Sequence, residues 1–283
     1  MRMRSRVALA ACFCAVLCAI TVQAQAPDGR TFFTVLSVVA AQGPGTPAPD
    51  ARALLLRMAA FLGSTPQLSV TAHASYDAVQ SSGQKIEWNE VRTLTLRRPD
   101  RLRMEAEKSN GARSLVVFDG KQISTFDESG RTYAQAVQPG GIDEALVYFV
   151  RDLGMRLPLA ALFVSRASTD LERRVKSVEY VEKTGILGAP AHHLAGRTDS
   201  VNFQIWITDG EQPLPQRVVL TYPDAPGQPE FRAQFSAWNL APASADALFT
   251  FTPPAGTSKI PFAAGLPRYG AATSGVAKKG SKP

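Results

Sequence analysis

From residue 67 onward, apolar and polar residues alternate with a period of two along most of the chain. Leu68, Val70, Ala72, Ala74 and Tyr76 share one phase. After the turn signal Ser81-Ser82-Gly83 a second alternating run covers 85–97, with Ile86, Trp88, Leu94 and Leu96 on one side. Successive side chains of a strand point to opposite faces, so the pattern predicts strands with one covered face and one wet face. Arg98-Pro99-Asp100 marks the next turn. Leu102, Met104 and Ala106 then face one way, while Arg101, Arg103, Glu105 and Glu107 face the other. Further strands are predicted over 112–119, 121–127 and 131–136, joined by the compact hairpin signals Asp119-Gly120 and Glu128-Ser129-Gly130. Strands over 175–183, 191–196, 201–208, 216–222 and 231–239 bring the count to about eleven, which fits one antiparallel domain.

Helical spacing occurs in two places. Asp50 is an N-cap for a helix carrying Leu54, Leu55, Met58, Phe61 and Leu62, closed by Gly63. Between the sixth and seventh strands, 141–154 places Ile142, Ala145, Leu146, Phe149, Val150 and Leu153 on one stripe, with Asp143, Glu144, Arg151 and Asp152 mostly off it. A second short helix is expected over 159–164. An open, curved sheet has a concave apolar face, and the stripe of the 141–154 helix must be buried against something, so the helix is expected to lie over that face as a lid. Trp88, Leu94, Leu102, Met104, Leu146, Phe149 and Val150 would then line either a ligand cavity or a filled core.

Charge changes the picture at the two ends only. The 283 residues carry 31 Lys and Arg against 24 Asp and Glu, a formal net charge of +7. Arg2, Arg4 and Arg6 precede the first apolar run, and Arg268, Lys278, Lys279 and Lys282 follow Phe262 with no acidic residue among them. Without these seven cations the body of the chain is balanced, so it has no clustered basic footprint for nucleic acid. The basic start, the apolar run 7–22 and Val22-Gln23-Ala24 read as a secretory signal peptide over 1–24, cleaved after Ala24. The three cysteines, Cys12, Cys14 and Cys18, all fall within it, so thiol catalysis and thiolate metal sites are excluded from the mature chain. Residues 25–50 are expected to be a flexible Pro/Gly-rich segment that includes an apolar patch at 32–39, and residues 263–283 are expected to be a disordered basic tail. That tail is suited to peripheral contact with an anionic membrane. The expected location is the periplasm.

Signatures of catalysis are missing: there is no Gly-x-Ser-x-Gly elbow, phosphate loop, His-Glu-x-x-His or dinucleotide fingerprint. His192 and His193 are neighbours on a strand and point to opposite faces, so they do not chelate one ion together; one packed and one solvated imidazole is the expectation. His73 lies on the polar phase with Ser69, Thr71 and Ser75. The carboxylate pairs Glu105 with Glu107 and Asp143 with Glu144 read as solvated positions. Neither enzyme activity nor a cofactor or metal is expected.

The stretch Leu96-Arg97-Arg98-Pro99-Asp100-Arg101-Leu102-Arg103-Met104-Glu105, followed by Phe118-Asp119-Gly120-Lys121-Gln122-Ile123-Ser124-Thr125-Phe126-Asp127, resembles the paired hallmark of periplasmic lipoprotein carriers of the LolA/LolB type. There an Arg-Pro turn leads into a strand, and an Asp-Gly-Lys hairpin leads to an aromatic-Asp pair. More closely, residues 51–262 resemble the predicted periplasmic family called domain of unknown function 2092. The resemblance runs through 146–158, Gln204-Ile205-Trp206-Ile207, Pro213-Leu214-Pro215 and Phe249-Thr250-Phe251-Thr252-Pro253-Pro254-Ala255-Gly256. It implies a mainly β fold, an open, unclosed antiparallel half-barrel of about eleven strands with a helical lid over an apolar cavity for acyl chains. Met104 stands where such carriers often have Trp. The implied function is non-enzymatic binding or carriage of lipid or lipoprotein acyl chains. The alternative is an envelope sensor or interaction module in which the same half-barrel binds a protein partner.

Overall fold

The computed structural model describes residues 48–149 and 157–262. The expected signal peptide, the apolar patch at 32–39 and the tail at 263–283 lie outside the described residues.

The first helix, α1 (Ala51–Ser64), starts where the sequence places it: the Asp50 carboxylate accepts the Ala53 N–H at 3.0 Å. This satisfies one of the orphan donors of the first turn. Leu55, Met58, Ala59 and Leu62 form its buried face. Two long strands follow, β1 (Gln67–Val79) and β2 (Lys85–Arg97), paired in register from Gln67 with Arg97 to Val79 with Lys85. A meander continues through β3 (Arg101–Lys108), β4 (Arg113–Phe118), β5 (Gln122–Asp127) and β6 (Thr132–Val137). The β4–β5 turn depends on Gly120, whose φ of 85° favours glycine. An added Cβ there would lie 2.6 Å from Asp100 Oδ2, while Asp119 Oδ1 accepts the Lys121 and Gln122 N–H groups.

The second meander comprises β7 (Ser177–Thr184), β8 (Ala191–Arg197), β9 (Asn202–Thr208), β10 (Pro215–Thr221) and β11 (Glu230–Asn239). β11 pairs antiparallel with β1 and fuses the two halves into one sheet. A two-residue strand, β12 (Ser258–Lys259), adds in parallel to β6, and the order is β12-β6-β5-β4-β3-β2-β1-β11-β10-β9-β8-β7. β7 and β12 do not pair with each other, so the sheet is unclosed, as expected. It has one more strand than the alternation predicts, because two residues are too few to show a period.

β6 and β7 are consecutive in sequence but lie toward opposite ends of this order. The chain between them must therefore travel the width of the sheet, and its described residues from Leu146 to Phe149 and from Leu157 to Phe163 lie over the inner face. It contains α2 (Ile142–Val147), which continues in a wider turn through Phe149, a 3-10 turn at Ala160–Leu162, and α3 (Ala167–Arg174). The helix expected over 141–154 is thus described only as far as Phe149. The helix expected over 159–164 is a single 3-10 turn. α3 was not expected at all: Ala167 is its one buried residue, and the Asp170 carboxylate is held by Arg166 and Arg173. It packs against α1.

Candidate ligand cavity

The register of the sheet assembles its inner face row by row. Leu68, Leu96, Leu102, Phe118 and Ile123 lie side by side across β1 to β5, all buried. The next row is Val70, Leu94, Met104, Val116 and Thr125, and the one after is Ala72, Arg92, Ala106, Ser114 and Asp127. Leu146, Phe149, Leu157, Leu159 and Phe163 of the connection approach this face from above. The two surfaces enclose a cavity of about 310 Å³, to which Phe235 of β11 also contributes. The volume is at the lower end of the roughly 300–1,000 Å³ of small-molecule sites.

Five of the seven residues singled out in the sequence, Leu94, Leu102, Met104, Leu146 and Phe149, come together on the walls of this cavity. Val150 lies outside the described residues. Trp88 is a correction: it shares the strand face of Leu94 but is 45% exposed and does not contribute to the wall. Alternation fixes which face a residue is on, whereas the reach of the connection decides how much of that face is covered. Trp88 lies beyond that reach, opposite Tyr76.

Two wall residues that the alternation passed over are Glu90 and Arg92, on the same phase between Trp88 and Leu94. They are only 4% and 7% exposed, and Arg92 Nη2 lies 2.5 Å from Glu90 Oε1. The signal was present in the sequence as two charges interrupting an apolar phase. It resembles the end of a covered region, not a buried pair.

Arg98 ties the connection to the rest of the fold. Its guanidinium donates to the carbonyls of Thr65 (3.1 Å) and Leu62 (3.3 Å) at the end of α1, and to Phe163 (2.8 Å) in the connection. Asp143 of α2 lies 3.9 Å away and in turn accepts from the Ser165 N–H and hydroxyl. Burial lowers the Arg98 pKa and Asp143 opposes that shift, so the group remains a cation. Glu144 accepts the Gly141 N–H at 2.8 Å, which closes the start of α2. Asp143 and Glu144 therefore have structural partners, as do Glu105 with Arg103 and Glu107 with Arg113. Phe262 packs against Tyr148 and Phe149.

The histidines take no part in the cavity wall. His192 is buried, with Nε2 at 3.0 Å from Asp209 and Nδ1 at 3.4 Å from the Tyr180 hydroxyl. Lys183 and His192 hold the Asp209 carboxyl below the usual carboxylate range. His193, on the opposite face, is not solvated either: it stacks on Trp206 with ring centres 4.0 Å apart, leaving its side chain 12% exposed, so the expectation of one packed and one solvated imidazole is not met. His73 is exposed. Among the described residues no group of three or more His, Cys, Asp or Glu is placed to hold a metal ion. On the opposite face of the sheet an open groove of about 1,380 Å³ is walled largely by polar and charged side chains, including Glu87, Arg103, Glu105, Arg217 and Arg232.

The profile of the family described as "Predicted periplasmic protein (DUF2092)" matches residues 51–263, from α1 past β12. The chain belongs to this family. No curated protein matches the sequence. Among solved structures, this DUF2092 chain is similar to an uncharacterized conserved protein from Thermus thermophilus, with 11% identity over 75% of this chain and 98% of that one and a TM-score of 0.43. It is also similar to the Mycobacterium tuberculosis lipoprotein LppX, with 16% identity over 67% and 97% and a TM-score of 0.40. The Pseudomonas aeruginosa MucA/MucB complex gives 19% identity over 71% of this chain and 61% of that one, with a TM-score of 0.39.

Proposed function

We propose that this DUF2092 protein is a non-enzymatic periplasmic binding protein that holds an acyl chain of a lipid or lipoprotein between the sheet and the α2 connection. The observation that carries this reading is the 310 Å³ cavity with Leu94, Leu102, Met104, Leu146 and Phe149 on its walls. Each methylene transferred from water into such a site contributes about 0.8 kcal/mol. Export follows cleavage after Ala24, and the basic tail adds peripheral attraction to anionic lipid of about 1 kcal/mol per Lys or Arg before salt screening.

The test is uptake of a fluorescent fatty acid by the exported chain, beside the double variant Leu146→Ala/Phe149→Ala. A binding wall predicts that uptake changes more than stability. A filled core predicts a loss of roughly 3–5 kcal/mol for the buried Phe alone, with no uptake by either protein. Wild-type protein that takes up no acyl probe overturns the carrier reading. The large polar groove on the other face supports a second reading, a module that binds an envelope protein there. Under it, cavity substitutions leave partner binding unchanged and charge reversals at Arg103 or Arg217 abolish it.

A further inference from the structure

The β1–β2 hairpin outgrows its neighbours. On one side the pairing with β3 ends at Glu90 and Lys108, and the Ser109 N–H makes the last bond, to the Asn89 carbonyl at 2.9 Å. On the other side the pairing with β11 ends at Tyr76 and Phe231. Past these points Asp77, Ala78 and Val79 pair only with Glu87, Ile86 and Lys85, and the turn at 80–84 closes a two-stranded arm. Such a ribbon is marginal in water, and this one is braced on its outer face. There Asp77 accepts from Arg232 at 2.9 Å and from the Glu230 N–H at 3.0 Å, and Lys85 donates to the Gln228 carbonyl at 2.9 Å. The inner face of the arm is different. Ile86 and Trp88, opposite Ala78 and Tyr76, stay 40% and 45% exposed. They continue the strand phase of Leu94, which is on the cavity wall, so the covered face gives way to solvent at Trp88.

A Trp beside an Ile on a projecting, otherwise polar arm suits the boundary between lipid headgroups and acyl chains, where the ring is in apolar surroundings and its N–H meets water. Charge at this end of the sheet selects no partner. The β3–β4 and β5–β6 turns set Lys108, Arg113 and Arg131 against Glu107, Asp127 and Glu128, and Glu90 and Arg92 cancel in formal charge. On the outer face of the arm Asp77, Glu87 and Glu230 outnumber Lys85 and Arg232 by one. The cations that would favour an anionic surface come from further along the chain. Ile260 is on the cavity wall, Phe262 packs against Tyr148 and Phe149, and residues 263–283 then hold Arg268, Lys278, Lys279 and Lys282 with no acidic residue. The step from Phe262 to Arg268 spans at most about 22 Å fully extended, and the later cations reach further. The cationic segment therefore leaves from beside the cavity, within reach of a surface on which the arm could rest.

We infer that the inner face of the β1–β2 arm docks on an anionic phospholipid bilayer, with Ile86 and Trp88 at the headgroup boundary and the basic tail on the same surface. This rests on the carrier reading and names the place where an acyl chain enters or leaves. The test is binding of the exported chain to vesicles of phosphatidylcholine, with and without phosphatidylglycerol, some of them carrying brominated acyl chains. Binding should be tighter with phosphatidylglycerol and weaken with salt. Tryptophan emission should shift to the blue and be quenched by the brominated chains. Trp88→Leu keeps an apolar side chain, so it should bind within about threefold of wild type but lose most of the quenching. The other two indoles are held within the fold, Trp206 between His193 and Arg217, and Trp238 by a bond to the Pro215 carbonyl. Ile86→Ser/Trp88→Ser, at exposed positions, should weaken binding about tenfold with little change in the thermal midpoint. Deleting residues 263–283 should remove the preference for phosphatidylglycerol and leave the quenching at saturating lipid. Bound protein with Trp88 unquenched, or wild-type affinity in the double Ser variant, overturns the docking and leaves the carrier reading standing. A phosphatidylglycerol preference that survives the deletion overturns the part given to the tail. No binding to any vesicle overturns the proposal too, and self-association lost in the double Ser variant then assigns the face to a second copy. Quenching of Trp88 in a protein that takes up no fatty acid keeps the docking and overturns the carrier reading.

Discussion

Replacing Arg98 with Met keeps an apolar stem of similar length and removes the group that joins three parts of the chain. The guanidinium donates to Thr65, Leu62 and Phe163, and its neighbour Asp143 is only 15% exposed. A hydrogen bond to a charged group contributes about 1.5–3 kcal/mol net, but three carbonyls sharing one head are not independent, and water can reach part of the vacated space. Breaking a largely buried ion pair by removing one partner costs about 3–5 kcal/mol, and the 3.9 Å separation from Asp143 puts this pair at the weak end of that range. The expected loss is therefore about 3 kcal/mol, read as a lower urea midpoint at unchanged m-value. The same substitution frees the connection from α1, so amide exchange around Phe163 should accelerate more than exchange in β1 and β2. A loss below about 1 kcal/mol, or exchange that rises equally everywhere, refutes the assignment of Arg98 as the tie between the connection and the body.

Asp77 tests the seam between the two meanders. Burial pushes its carboxyl pKa up, but Arg232, the Glu230 N–H and Lys85 outweigh burial and hold it below the ordinary value. A carboxyl depressed in the folded state stabilises above its unfolded pKa, near 3.9, and that stability is lost as pH falls through the lower folded value. Asp77→Asn should thus cost roughly 1–3 kcal/mol at pH 7, and the difference from wild type should shrink below about pH 4; a difference independent of pH contradicts this. Gly120→Ala should cost about 1–3 kcal/mol through positive φ and the clash with Asp100, lowering the thermal midpoint. Deleting residues 263–283 should leave that midpoint nearly unchanged, and a drop of many degrees would make the tail part of the fold.

Strand identity was legible because one face is covered and the other wet. β1 to β6 fall within a residue or two of the alternation, and Asp50 starts α1 as expected, although the helix runs through Gly63 to Ser64 with Thr65 as its C-cap. α3 was not legible because its contacts are made by Ala167, Leu171 and a salt-bridged surface, which leaves no apolar stripe of normal width. For the cavity, strand phase put Leu94, Leu102 and Met104 on one face, and the helical stripe of the connection brought Leu146 and Phe149 over it. It could not place Trp88, because exposure there depends on how far a non-local element reaches. Nor did it reveal Glu90 and Arg92, since a charge on an apolar phase is legible as buried only once its partner is known.

The passage of the connection from one side of the sheet to the other also orders events as the chain is made. Within each meander, strand pairs join near neighbours in sequence, whereas the β1–β11 seam must bring together groups such as Asp77 and Arg232, 155 residues apart. Local pairing forms fast and distant pairing slowly, so the first meander stands for a time with a bare apolar surface and β1 as an open edge, both hazards for aggregation. The segment that shields the surface is the very next one to be made after β6, ahead of the whole second meander. The edge waits for β11, near the end of the described chain. Self-association during folding should therefore start at the β1 edge, with the greasy face already shielded by its own succeeding residues.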